Sequence, residues 1–343
     1  MRHQIIAYCA AIAFAVMSCG SEKQGHNTSE GQSAGSDTVK VTANQRPEFS
    51  ADSAKKYLKE QVELGPRVPG TPANIKCREY IVDKMTQFGV DTVYIQKFMA
   101  TTFDGKKIEG GNVFGQLNPE KNTRVLLAAH YDTRPWADNE PTVDKRDTPI
   151  DGANDGASGV AVLLELARQF AANNPKVGVD FLFVDIEDHG NSDGWELHND
   201  SWCLGSQYFA ANQPYHASNR PVYGIVLDMV GGLDARFHRE YFSEKYAPNV
   251  VNRVWQTASQ LGYGETFINQ LGGSLIDDHL PLSKGGIPTI DIVECNNVQT
   301  GGFPPTWHTT QDNLSNISAT TLKAVGNVVS EVIYTQPLPS SQN

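Results

Sequence analysis

Phe181, Leu182, Phe183 and Val184 form an unbroken apolar run, and the acids Asp185, Glu187 and Asp188 follow at once. A run without polar alternation reads as a strand buried on both faces. Open α/β sheets place ligands and catalytic groups at the carboxyl ends of such strands. The arrangement recurs along the chain. His130 and Asp132 follow the apolar Val125 to Ala129, and Asp228 ends the run from Val222. Asp155 sits in the glycine-rich loop 151–156, and Asp277-Asp278-His279 and His308 come later. Taken singly these are ordinary, since a lone His in a loop is usually a surface residue and an Asp after a strand usually a helix cap. Together, carboxylates and imidazoles at one sheet edge are mutually repulsive or poorly solvated unless a cation organises them. Zn²⁺ accepts His nitrogen and carboxylate oxygen at about 2.0–2.2 Å and fits that donor set. A catalytic zinc needs three protein ligands and one open position.

The elements that must position these groups alternate between strand and helix. Ser50 to Leu64 has helical spacing, with Ser50 or Asp52 as cap. The sequence Gly65-Pro-Arg-Val-Pro-Gly-Thr-Pro72 must be a loop. Ala73 to Phe88 is a second amphipathic helix, predicted to turn Ile75, Tyr80, Ile81, Met85 and Phe88 toward a core. Val90 to Phe98 and Glu109 to Leu117 read as strands joined by a turn at Asp104-Gly105. From Arg124 the rhythm becomes strand, loop, helix. Helices are expected at Ala157 to Phe170, Gly205 to Ala211, Ala247 to Leu261 and Ser318 to Tyr334. Core strands are expected at Val222 to Asp228 and Ile287 to Val293. The fold class is therefore α/β, a mainly parallel mixed central sheet with helices on both faces. No internal repeat and no second domain is read, so residues 46–338 are expected to form one catalytic domain.

A length of 343 residues leaves ample room for one core. The formal charge of −11 and the lack of any Lys/Arg run argue against nucleic acid as a partner. At the N-terminus Arg2 and His3 precede the apolar stretch Ile5 to Met17, too short and wrongly flanked for a stable membrane span. It ends in Val16-Met17-Ser18-Cys19-Gly20, which resembles the lipobox of bacterial lipoproteins. That resemblance implies a signal peptide over residues 1–18, a lipid on Cys19 and export to a bacterial membrane. Residues 19–45 are rich in Ser, Gly, Glu, Asn and Thr and read as a flexible tether. Cys77, Cys203 and Cys295 then remain, which permits at most one internal disulfide, and none has metal-site spacing. No long exposed apolar stripe is apparent, and the chain is expected to be a monomer.

His130-Tyr131-Asp132, Asn154-Asp155-Gly156, Glu187-Asp188, Asp228, Asp277-Asp278-His279 and Trp307-His308-Thr309 resemble the ordered motifs of the zinc aminopeptidase and glutaminyl cyclase superfamily. Gly65-Pro-Arg-Val-Pro-Gly70 resembles that superfamily's N-terminal loop. The resemblance spans roughly Ala51 to Tyr334. It implies Asp155, Asp188 and His308 as the ligands of one zinc per chain, and Glu187 as general acid/base. It also implies that a second metal, as in the dinuclear aminopeptidases of this fold, would use His130 and Asp228 with Asp155 bridging. Those residues are present, so ligand count does not decide between one metal and two.

Two features resemble the cyclase branch. Asp277 stands where the aminopeptidases commonly have Ser, which resembles the cyclases' acidic network and groups Asp277 with Glu187 and Asp228 as catalytic. The Phe303-Pro-Pro-Thr-Trp307-His308-Thr309 stretch resembles the cyclases' aromatic wall beside the metal. One departure is that animal cyclases have Glu-Glu where this chain has Glu187-Asp188; the shorter ligand should shift the zinc or the strand slightly. The implied reaction is attack of an N-terminal glutaminyl residue's α-amine on its own γ-amide, leaving pyroglutamate and ammonia. Trp195, Met229, Leu275, Phe303 and Trp307 are the expected pocket lining, and the partners are peptides or proteins that begin with Gln. The alternatives are a zinc aminopeptidase of the same fold and a non-catalytic zinc-binding ectodomain.

Overall fold

The computed structural model describes residues 46–193 and 199–337. The predicted signal peptide, the tether, Cys19 and Trp195 lie outside the described residues. The chain enters helix α1 (Ala51–Val62) through Ser50, whose hydroxyl accepts the Ser53 amide, one of the donors a first turn leaves unpaired. Helix α2 (Pro72–Phe88) starts the same way on Thr71, with Pro72 placed where a missing N–H costs nothing, and stops at Gly89 in the left-handed region. Its buried line is Cys77, Ile81 and Met85, with Tyr80 and Phe88 packed at the side. Ile75, predicted to face the core, is 40% exposed. Two residues turn a helix by about 200°, so Ile75 stands opposite Cys77.

Strands β1 (Thr92–Thr101) and β2 (Lys107–Leu117) form an antiparallel hairpin around Asp104-Gly105. Then come β3 (Arg124–His130), α3 (Ala157–Ala172), β4 (Gly178–Val184), α4 (Leu204–Ala211) and β5 (Tyr223–Leu227). β6 (Phe237–Arg239), α5 (Tyr241–Tyr246), α6 (Pro248–Gln260) and β7 (Phe267–Leu271) make a small excursion in which β6 and β7 pair with each other. Helix α7 (His279–Lys284), β8 (Thr289–Ile292) and α8 (Ala319–Tyr334) complete the chain. The six-stranded sheet runs β1-β2-β4-β3-β5-β8; β3 is parallel to both β4 and β5, β5 is parallel to β8, and the β2 side is antiparallel. The mixed, mostly parallel sheet of the sequence reading is what forms.

The sheet's centre explains the apolar runs. Along β3, Val125, Leu127 and Ala129 join the larger core with α1, α3 and α8, while Leu126 and Ala128 join a second core with Phe209 of α4 and Leu282 of α7. On β4, Phe181 and Phe183 go one way and Leu182 and Val184 the other. Helices on both faces leave no solvated side, so polar alternation disappears. Gly159 lets α3 close on the sheet, since a Cβ there would lie 2.1 Å from the Leu227 carbonyl oxygen. The elements absent from the sequence reading are β6, α5, β7 and α7, each of three to six residues. Such lengths are too short to display a period. Among the described residues, Cys77, Cys203 and Cys295 are buried free thiols, so none of them pairs.

Candidate active site and metal centre

Strands β4, β3 and β5 lie side by side, and their carboxyl ends deliver Glu187 and Asp188, His130 and Asp132, and Asp228 to one place. The chain leaves β3 to one neighbour and returns on its other side, which is where open sheets form a crevice. Asp155 arrives from the start of α3. There Gly156 must be glycine, because a Cβ would lie 2.4 Å from the His130 carbonyl oxygen. Asp277 comes from the segment before α7, and His308 from the loop after β8. Ile186, Met229 and His308 all have φ near +50°. That region is costly for side chains with a Cβ, and most of all for a β-branched one. Each of these residues adjoins or is a candidate functional group, so backbone conformation is held where side-chain direction matters.

Asp155, Asp188 and His308 each offer a ligand atom within 4.8 Å of the others, and all three are buried. Nε2 of His308 lies 3.1 Å from Asp188 Oδ1 and 3.8 Å from Asp155 Oδ2. Asp188 Oδ2 is buried without a hydrogen-bond partner, an expensive condition for a carboxylate oxygen unless a cation completes it. Two buried carboxylates and an imidazole suit a zinc ion. A second cluster, His130, Asp155 and Asp228, shares Asp155. Nε2 of His130 is 3.1 Å from Asp155 Oδ1 and 3.1 Å from Asp228 Oδ1. These groups are braced from behind. The Asp132 carboxylate accepts the backbone N–H groups of Glu187 and Asp188, and the Asp312 carboxylate accepts those of Asn154 and Asp155.

The charge balance is lopsided. Burial holds the Glu187 carboxyl well above its usual range; His130 works against this, and Asp277 and Asp188 add to it. Asp277 is raised well above the carboxylate range by burial and then by Asp291, Asp228 and Asp278. Asp278 is pushed up by burial to about 7, although the Ser206 hydroxyl donates to it. For His308 burial opposes protonation, but the Asp188 and Asp138 carboxylates carry it up to about 8. Glu187, Asp277 and the thiol of Cys203 cluster, with the thiol 3.2 Å from Glu187 Oε1.

Over the acidic floor stands a cavity of about 290 Å³ that includes Asp155, Glu187, Asp188, Asp228, Asp277 and His308. Met229, Leu275, Phe303 and Trp307 pack together along its wall, and Ile276 and Trp202 also line the cavity. Trp307 stacks on His308 at 3.8 Å between ring centroids. Arg134, Asp138, Asp312, Asp291 and the contact made by Cys203 belong to no motif in the sequence. The loop carrying Arg134 and Asp138 has no period, and a lone Arg or Asp in it looks like any surface residue. Only the Asp291 strand gave a usable signal, since a carboxylate inside an apolar run of four to five residues must find partners.

The profile of peptidase family M28 matches residues 112–333. A solved glutaminyl cyclase from Bacteroides thetaiotaomicron is 44% identical, with a TM-score of 0.82 over 85% of this chain and 100% of that one. A solved Zn-dependent exopeptidase from Parabacteroides distasonis is 45% identical, with a TM-score of 0.81 over 85% of this chain and all of its own. A glutaminyl-peptide cyclotransferase from Bos taurus is 24% identical over 290 residues, covering 77% of this chain and 76% of its own.

Proposed function

This chain belongs to peptidase family M28, and within that family we infer that it is a glutaminyl-peptide cyclotransferase. It converts the N-terminal glutaminyl residue of a peptide or protein to pyroglutamate and releases ammonia. The observation that carries this reading is the pairing of Glu187 with a second buried carboxyl, Asp277, under a wall of Met229, Leu275, Phe303 and Trp307. Both carboxyls are held above their ordinary range. The likeness to the solved glutaminyl cyclase supports it.

The reaction is internal to one residue. The α-amine nitrogen bonds to the γ-carboxamide carbon, the bond from that carbon to the amide nitrogen breaks, and the amine's proton ends on the departing ammonia. Nucleophile and electrophile share a chain, so proximity needs little help from the protein. Glu187 would take the amine proton and return one to the leaving nitrogen, and a carboxyl with a raised pKa is a competent base and acid near neutral pH. Asp228 and Asp277 line the same floor and can hold the nascent ammonia. Asp155, Asp188 and His308 would hold one zinc ion, which when bound supplies Lewis acidity to the γ-carbonyl oxygen.

An ammonia-coupled assay tests the reading: Gln-peptides should release ammonia and lose its mass, while amino-acid amides and generic dipeptides should yield no free amino acid. About one zinc per chain is expected. The second reading, a zinc aminopeptidase, is favoured by the His130, Asp155 and Asp228 cluster and by the likeness to the solved exopeptidase. Two metals per chain with amino acids released from peptides would establish it instead.

We further propose that residues 1–18 are a lipoprotein signal, that Cys19 carries the lipid, and that residues 19–45 tether a catalytic domain of residues 46–338, acting as a monomer, to a bacterial membrane. Among the described residues no helix is long and apolar enough to cross a membrane. Incorporation of labelled fatty acid, abolished in Cys19→Ser, is the expected result.

A further inference from the structure

We propose that Arg134 is a positioning residue that sets His308 and Asp188 toward one metal ion, an assignment that rests on the zinc ligands inferred above. Arg134 is fully buried. Its Nε and Nη2 donate to the two oxygens of Asp138 at 2.8 and 2.7 Å, a forked pair. The same Asp138 places Oδ1 3.1 Å from Nδ1 of His308, within ion-pair distance though not aligned as a hydrogen bond. A carboxylate at Nδ1 keeps the imidazole hydrogen on that nitrogen and leaves the Nε2 lone pair for a metal. Nε2 is the nitrogen that faces Asp188 and Asp155. The backbone repeats the tie, since the Asn139 N–H donates to the His308 carbonyl.

The guanidinium's other side reaches the second ligand. Nη1 donates to the carbonyl oxygens of Asp188 and Gly190 at 3.1 and 3.2 Å, and it lies 3.5 Å from Asp188 Oδ1. The remaining Asp188 oxygen is left without a partner. One planar group thus fixes the backbone of one ligand and, through Asp138, the ring of the other. Its carbon lies 4.9 and 4.7 Å from the ring centroids of Trp136 and Trp202, which hold its plane by cation–π contact. Trp202 in turn lies within 12° of parallel to the His308 ring. Lysine could supply the charge but neither the fork nor the stacking.

The test measures zinc affinity of the full chain by competition with a chromogenic chelator, and the visible spectrum after replacement of zinc by cobalt(II). Wild type comes first: failure to retain zinc there overturns the metal assignment itself, and this proposal with it. Given a zinc-binding wild type, Arg134→Met should weaken zinc roughly 10–100-fold, the range for groups that orient a metal's ligands. Arg134→Lys should recover only part of that loss, and both should alter the cobalt bands. Zinc affinity within twofold of wild type with unchanged cobalt bands, whatever happens to melting temperature, would reduce Arg134 to a structural role. If Arg134→Met does not fold, Arg134→Lys, which keeps the buried charge, decides alone. A tenfold or greater loss of zinc affinity supports the proposal, and an unchanged affinity overturns it.

Discussion

The two ends of strand β4 carry acids in opposite circumstances. At the amino end Asp180 is fully buried, and Arg124, the first residue of β3, meets it with a forked ion pair. Tyr215 and Gln116 donate to it as well, and the spare guanidinium hydrogens go to carbonyl oxygens of Leu117, Asn118 and Lys121. At the carboxyl end Glu187 and Asp188 share one cavity with Asp155, Asp228, Asp277 and His308. Asp188 Oδ2 has no partner, and Glu187 and Asp277 sit well above the carboxylate range. The same sheet therefore holds a closed polar network at one end and an open one at the other. A closed network stabilises a fold; an open one is costly unless something binds there.

The largest expected effect breaks the open end. Glu187→Gln keeps shape and volume but removes the proton acceptor, so turnover should fall by about three orders of magnitude while zinc content is retained. The measurement is ammonia release together with metal per chain. Loss of zinc along with activity would make Glu187 a ligand and undo the division of roles. Next comes the closed end. Arg124→Met leaves Asp180 buried and uncompensated, at a cost of about 3–5 kcal/mol of unfolding free energy. Arg124→Met with Asp180→Leu should recover most of that, because an apolar pair carries no unpaired charge. Denaturant unfolding reads both, and kcat per folded molecule should stay within twofold of wild type. A drop in kcat would mean that the two ends are coupled.

The two ends were unequally legible in the sequence. Buried runs such as Phe181 to Val184 announce the central strands, because covering both faces removes every polar position from them. The acids beyond those runs announce the crevice, because nothing in a fold's stability calls for Glu187, Asp188 and Asp228 at strand ends. Arg124 and Asp180 announce nothing. One reads as a charged residue before a strand and the other as an interruption within it, and their pairing is visible only once β3 and β4 lie in register, with Arg124 opposite Gly178. Arg134 and Asp138 are hidden for a similar reason, in a loop whose course depends on contacts with Gly190 and His308. Resemblance to a superfamily reached the groups proposed for metal and substrate and one brace, Asp132, and it did not reach Arg134, Asp138 or Asp312.

A pH response is expected from the acid that directly follows strand β4. Burial, reinforced by Asp132, pushes Asp185 up to about 6, against the hydrogen bonds it accepts from Asn74 and the Gly111 N–H. A carboxyl whose folded pKa exceeds its unfolded value favours the fold while protonated. That contribution is fully present below about pH 4 and is lost as pH rises through about 6. Asp185→Asn cannot titrate. The difference in unfolding free energy between wild type and Asp185→Asn should therefore shift against wild type by up to about 3 kcal/mol between pH 4 and pH 7. A difference that is flat across that window would mean that burial does not raise Asp185.

The smallest expected effect concerns the apolar wall rather than the charges. Trp307 stacks on His308 and packs on Phe303 at 4.3 Å between centroids, yet it is only half-buried and faces the cavity. Truncation there removes contact area for a substrate more than it opens a void in the core. Trp307→Ala should lower kcat/KM for a Gln-peptide about tenfold, mostly through KM, as expected for an aromatic surface worth about 1–2 kcal/mol. Zinc affinity and melting temperature should hardly move. If instead zinc affinity fell with kcat while KM held, Trp307 would be fixing the imidazole and not the substrate. The carboxyl end would then hold its metal ligand by stacking as well as by charge.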